Sequence, residues 1–208
     1  MTTEPLTLSE IPTLAALLAG GSSRRMGTDK GLSQLGGKPL AHWSAATLAA
    51  VSRTRAQIGG APLPGLGWKV LEDLRPGCGP AAGLETALAC FPGAIAVVCA
   101  VDTPFVPPAL LRHAAAKIGT GVEAALPRTE GRWHPLVGAY SPAILPSLTA
   151  WLESGRFRLQ TFLDRRHVAA LEGDELEQFG DPEVSLMNVN SKADLARAED
   201  LLSGAEFL

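Results

Sequence analysis

Ala94-Ile95-Ala96-Val97-Val98-Cys99-Ala100-Val101, followed at once by Asp102-Thr103-Pro104-Phe105, is the stretch on which the fold turns. The run carries no charged side chain and does not alternate polar with apolar residues. A strand covered on one face alternates, whereas a strand of a parallel sheet is buried on both faces and need not. Residues 94–101 therefore read as a central parallel strand, with Asp102 at its carboxyl end.

Working outward, residues 14–19 and 122–126 give two more clear apolar runs, and 68–71 and 136–140 two weaker ones. Residues 40–51, 81–90, 108–117, 142–152 and 192–202 carry helical patterns. This alternation predicts an α/β chain with a doubly wound, mostly parallel sheet and helices on both faces. No repeat or low-complexity linker divides it. The expectation is one domain over residues 1–208, with a core at about 12–202 and loose ends. Residues 61–67, rich in Pro and Gly, read as a surface loop.

Composition excludes several classes. With 208 residues, 46% apolar and 19% charged, the chain can bury a sizeable core. Its 21 acids against 18 bases give a net charge of −3, too balanced for a protein whose main partner is nucleic acid. An anionic ligand would have to be held by a few placed bases. The three cysteines, Cys78, Cys90 and Cys99, show no metal-site spacing and no disulfide framework, which favours a reducing compartment. The run at 14–19 is too short to cross a membrane, and the residues before it hold Glu4 and Glu10 but no Lys or Arg. A cytoplasmic protein with no membrane or nucleic-acid partner is expected.

In open α/β sheets, ligands sit beyond the carboxyl ends of the strands. Residues 20–31 follow the first run, with Gly20-Gly21, then Arg24, Arg25 and Lys30. Two glycines let backbone N–H groups approach a phosphate, and the bases supply charge. Neither Gly27 nor Gly37-Lys38 fits a Walker A pattern, and Gly77-Cys78-Gly79 is followed by Gly83, one residue too far for G-x-G-x-x-G, which also argues against a nicotinamide oxidoreductase. Asp73 ends a weaker strand; it can accept from a ribose or base, or cap its turn. Asp102 suits Mg²⁺, which takes one or two carboxylates plus substrate phosphates, but is equally a turn or N-cap residue. Asn188 and Asn190 flank Val189 and share one face of an extended triplet, while Asn190 or Ser191 is also a good helix N-cap. Among the histidines, His134 in Arg132-Trp133-His134-Pro135-Leu136 is the candidate near a substrate. Arg132, Arg156, Arg158, Arg165 and Arg166 form a second basic concentration, either a solvated helix face or a site for an anionic acceptor.

Leu18-Ala19-Gly20-Gly21-x-x-x-Arg25-Met26-Gly27-x-Asp29-Lys30 resembles the signature of NTP transferases, in the form found in molybdenum cofactor guanylyltransferases. Gly36-x-Lys38-Pro39-Leu40, Glu72-Asp73 with Gly79-Pro80-x-x-Gly83, Asp102-Thr103-Pro104-Phe105, His134-Pro135-Leu136, and Asn188-Val189-Asn190 with Asp194-Leu195 follow in the family's order. The resemblance spans residues 14 to about 202. It implies a Rossmann-like nucleotidyltransferase fold, and an enzyme that joins GMP from GTP to molybdopterin, with Mg²⁺ as cofactor and cofactor-insertion proteins as partners. It implies that Leu18, Ala19, Gly20 and Gly21 hold the nucleotide, that Arg25 and Lys30 neutralise the triphosphate, and that Asp73 contacts the nucleoside. Asp102 would bind the metal and nucleotide, and His134, Asn188, Asn190 and Arg158 would lie toward the acceptor. One departure stands out. The family often carries an asparagine after its second major strand, where this chain has Gln57-Ile58-Gly59-Gly60. A backbone group of Gly59 is the expected substitute. CTP as the nucleotide, another phosphorylated acceptor, or a non-catalytic nucleotide-binding module are the rival readings.

Overall fold

The computed structural model describes residues 12–20 and 30–205. Ten strands and eight α-helices follow one another there: β1 (Thr13–Leu18), β2 (Gln34–Leu35), β3 (Lys38–Pro39), α1 (Leu40–Ala49), β4 (Thr54–Ile58), β5 (Lys69–Leu71), α2 (Pro80–Cys90), β6 (Ile95–Ala100), α3 (Pro108–Lys117), β7 (Ala124–Thr129), β8 (Arg132–Trp133), β9 (Val137–Tyr140), α4 (Leu145–Glu153), α5 (Leu159–Leu163), β10 (Val168–Leu171), α6 (Asp174–Glu177), α7 (Pro182–Ser185) and α8 (Lys192–Ala205). The main sheet runs β10-β7-β9-β6-β1-β4-β5, with β8 paired to β7. Along that path β9 is antiparallel to both neighbours and the other pairs are parallel. The α/β, mostly parallel expectation holds.

The unbroken apolar runs have a direct physical reason. Alternate residues of a strand point to opposite faces, and here both faces are cores. Leu14, Ala16 and Leu18 of β1, with Ala96 and Val98 of β6, pack beneath α2 and α4. Ala15 and Leu17, with Ile95, Val97 and Cys99, pack beneath α1 and α3. Leu14 and Leu17 are fully buried on opposite sides, and truncating either to Ala would cost about 2–5 kcal/mol. A third, smaller core joins Leu35 and Leu40 to Met187, Val189 and Ala198, so that residues 187–198 return to the start of α1.

Three elements differ from the sequence expectation in detail. The run at 122–126 forms a strand over Ala124–Thr129. The run at 136–140 begins at Val137 and is reversed, and the helix at 142–152 opens with a 3-10 turn over Pro142–Ile144 before α4. Strands β2, β3, β4, β8 and β10 and the short helices α5 to α7 were not in the apolar pattern. Among the described residues no helix is long and apolar enough to cross a membrane.

Candidate active site

Four parallel strands end on one rim. Ala19 and Gly20 follow β1, Gly59 and Gly60 follow β4, Asp73 lies just beyond β5, and Asp102 just beyond β6. The three glycine-bearing segments close around the Asp73 carboxylate. A Cβ on Gly20 would stand 2.9 Å from Asp73 Oδ2, one on Gly59 would stand 2.9 Å from the same atom, and one on Gly83 of α2 would stand 3.6 Å from Oδ1. Gly59 has φ +69°, and its Cβ would also lie 2.9 Å from Gly20 Cα. Only glycine permits this approach. Asp73 Oδ1 is buried and accepts no hydrogen bond among the described residues. Burial raises its carboxyl above the ordinary aspartate value. An enclosed carboxylate with an open acceptor position is set for a ligand that donates.

The backbone around Asp102 is fixed by its neighbours. Thr103 is buried; its hydroxyl donates to Ala100 O at 2.9 Å, and its carbonyl accepts from Ser44 Oγ of α1 at 3.1 Å. Thr47 Oγ1 donates to Val106 O at 2.8 Å. Two buried hydroxyls of α1 thus fix the turn that follows β6. Beneath it, burial pushes the Cys99 thiol up to about 11, which leaves it inert. From the far end of the chain, Val189 N donates to Asp102 O at 2.8 Å. Val189 is fully buried, while Asn188 and Asn190 on either side are exposed. The triplet therefore turns both asparagines away from the buried Val189, while its backbone is tied to the end of β6. The capping role falls to their neighbours: Asp194 Oδ2 accepts from Asn190 N and Ser191 N at 2.8 Å each, and Ser191 Oγ accepts from Asp194 N at 3.1 Å.

His134 sits where β8 turns into β9. Its ring bonds Thr129 Oγ1 at 2.7 Å, and Leu136 O accepts from Ala100 N at 3.1 Å, which ties this turn to the end of β6. Burial, then the charge of Arg132, lowers the imidazole pKa, so the ring is neutral near pH 7. Arg158 is exposed and precedes α5, whose Gln160 accepts from Trp133 N at 3.1 Å, one residue before His134. Arg156, Arg165 and Arg166 instead line a separate pocket against α4.

Several expectations are altered or lie elsewhere. Gly21 and Arg25 fall outside the described residues, and Lys30 opens a 3-10 turn that leads toward β2. Lys38 lies with its ammonium 4.6 Å from the centre of the Trp43 ring, an anchoring contact. Gly59 does not offer a free backbone group: its N–H donates to Leu71 O at 2.8 Å, and its carbonyl accepts from Gln57 Nε2 at 3.0 Å. Any ligand contact there would have to use the carbonyl's second lone pair. Gln57 itself is buried, donating also to Ala61 O at 2.7 Å and accepting from Leu63 N at 3.1 Å, so it shapes the loop after β4. Sequence reasoning passed over Arg75 and Glu85. Arg75 Nε donates to the buried Glu85 Oε2 at 2.8 Å, and Thr149 Oγ1 donates to Glu85 Oε1 at 2.8 Å, joining the Asp73 loop to α2 and α4. An Arg ten residues before a Glu carries no local signal, because the pair meets only through the fold.

The family model described as the MobA-like NTP transferase domain matches residues 15–170. The chain belongs to that family. It is 42% identical over 195 residues to a molybdenum cofactor guanylyltransferase of Cereibacter sphaeroides, covering 89% of this chain and 95% of that protein. To the molybdenum cofactor guanylyltransferase of Rhizobium meliloti it is 30% identical over 201 residues, covering 89% of each. Its fold is similar to that of molybdopterin-guanine dinucleotide biosynthesis protein A from Archaeoglobus fulgidus, with a TM-score of 0.78 and 27% identity over 92% of this chain and 99% of that one. As a MobA-like NTP transferase, the protein presents the ends of β1, β4, β5 and β6 on one rim of its sheet.

The residues present also fit a magnesium ion bound mainly through substrate. Among the described residues no group of three or more His, Cys, Asp or Glu could cage a metal. Mg²⁺ does not require one, since it takes one or two carboxylates with phosphates and water. Asp102, with Oδ1 buried at the strand end, would be a ligand of that kind.

Proposed function

We propose that this chain transfers GMP from GTP to the terminal phosphate of molybdopterin, with release of pyrophosphate. The observation that carries the reading is the Asp73 carboxylate, enclosed by Gly20, Gly59 and Gly83 with one buried oxygen unbonded. A carboxylate only accepts. Guanine offers it two adjacent donors, N1–H and the 2-amino group, and the ribose offers hydroxyls. Cytosine offers one amino group next to an acceptor, a poorer match. This favours GTP over CTP despite the missing asparagine.

A phosphate oxygen of the acceptor attacks the α-phosphorus of GTP. The new P–O bond forms as the bond to the bridging oxygen breaks, and the electron pair leaves with pyrophosphate. Leu18, Ala19, Gly20 and Gly21 would hold the nucleotide, and Arg25 and Lys30 would neutralise the triphosphate. Asp102 would hold Mg²⁺, which supplies charge stabilisation at the transferring phosphoryl group. Asn188, Asn190, His134 and Arg158 would face the acceptor. A neutral His134 offers a hydrogen bond without a charge. Positioning and electrostatics account for the rate, and no covalent enzyme intermediate is needed.

The test is incubation of the purified protein with molybdopterin, Mg²⁺ and each nucleotide, following pyrophosphate and the dinucleotide product. Product with GTP and not CTP is expected, together with a larger thermal shift from GTP than from CTP, ATP or UTP. Equal product from CTP would overturn the guanine assignment. Nucleotide binding without pyrophosphate release would establish the non-catalytic alternative.

A further inference from the structure

A pocket of about 390 Å³ lies on α4, between that helix and the segment around α5. Its volume falls within the roughly 300–1,000 Å³ of small-ligand sites. Three arginines gather there on aromatic supports. The guanidinium carbons of Arg156 and Arg165 stand 5.0 Å and 5.7 Å from the Trp151 ring centre, and that of Arg166 stands 5.7 Å from the Phe162 ring. Arg166 also donates to Ser147 Oγ at 2.8 Å and lies 3.6 Å from Glu123. No ion pair joins Arg156 or Arg165 among the described residues. The Trp151 indole N–H is buried and makes no hydrogen bond among the described residues.

We propose that this pocket is a second anion site, which takes a small phosphate-bearing molecule. The lining supplies donors in excess. Guanidiniums offer planar forks that match phosphate oxygens two at a time, and stacking on a ring restricts them before the ligand arrives. Gathering like charges at one place costs free energy in the empty state. A ligand with several acceptor oxygens offsets that cost and pairs the donors. In a chain whose net charge is −3, such a concentration is local design rather than a general field. The site shares no lining residue with the rim that holds Asp73 and Asp102, and the inference does not rest on the proposed reaction.

Pyrophosphate, without divalent metal, is the probe. The indole N–H signals of ¹⁵N-labelled protein are followed during titration, with the Trp151 signal assigned from Trp151→Phe. The expected result is a saturable shift of the Trp151 signal. In the Arg156→Gln/Arg165→Gln double variant its midpoint moves by about tenfold or more, while the other indole signals keep their positions and so report an intact fold. Inorganic phosphate producing the same shift at higher concentration identifies the phosphate group itself as the recognised element. No Trp151 shift, an equal shift from potassium chloride at matched ionic strength, or an unchanged midpoint in the double variant would overturn the site and leave the arginines as packing on aromatic rings.

Discussion

Gly59 meets Gly20 so closely that a Cβ at position 59 would lie 2.9 Å from Gly20 Cα, and the same distance from Asp73 Oδ2. Three strand ends are therefore keyed together by the absence of a side chain. Gly59→Ala should lower stability by about 2–4 kcal/mol, combining a left-handed backbone with a backbone collision. Gly37→Ala supplies the comparison, since Gly37 has φ +70° but nothing within 4 Å of its added Cβ. It should cost only about 1 kcal/mol. Denaturant titration of both variants measures the difference, and equal losses would show that the close approach at Gly59 carries no energy.

Asp73 should stabilise the protein when it is removed. Its folded-state pKa is raised by burial. The group's contribution is thus fully favourable below the unfolded carboxylate pKa and is lost as pH rises through the folded value. At neutral pH the ionised carboxylate opposes folding, so Asp73→Asn should melt above the parent at pH 7, with the gap narrowing toward pH 4. The same variant should lose most of its GTP-induced thermal shift. A variant that melts below the parent at pH 7 would contradict the burial argument.

Asp102→Asn separates metal binding from turn geometry. Asn keeps the shape, and the turn is held by Thr103, Ser44 and Val189, so the melting temperature should change little. Transfer should fall about 100-fold or more, the equivalent of several kcal/mol at the transition state. Steady-state rates across a Mg²⁺ titration decide it; near-normal turnover would make Asp102 a turn residue.

Lys30 and Lys38 should differ in kind. Lys38 rests on Trp43, and Lys38→Ala should cost stability, about 0.5–1 kcal/mol, with turnover per folded molecule nearly kept. Lys30→Ala should do the reverse. Comparing kcat and chemical denaturation for the two variants checks this; an equal loss of turnover would move the phosphate cradle.

The loops after β1, β5 and β6 were legible in the sequence because each follows an apolar run. Strand β4 was the miss that mattered. Thr54 and Arg55 are exposed, Arg55 stacks near Trp68, and the buried Gln57 reads as polar although its amide is satisfied by its own loop. Periodicity sees residue type, not the hydrogen bonds that make a polar residue at home in a core. Strand β10, Val168–Leu171, is four apolar residues at a sheet edge, too short for period to separate strand from helix. At residues 188–194 the capping reading holds for Ser191, with Asp194, at the start of α8, while Val189 N ties the backbone of the same triplet to the Asp102 carbonyl.

The Val189–Asp102 hydrogen bond also sets a chronology. The segments that enclose Asp73 all lie between β1 and α2, close in the chain, whereas the partner of the Asp102 carbonyl arrives from beyond α7. Contacts of short separation pay less loop-closure entropy and are expected to form earlier. On the proposed function, the nucleotide face should then mature before the acceptor face, and a chain caught between those moments would bind GTP with nowhere to place the acceptor.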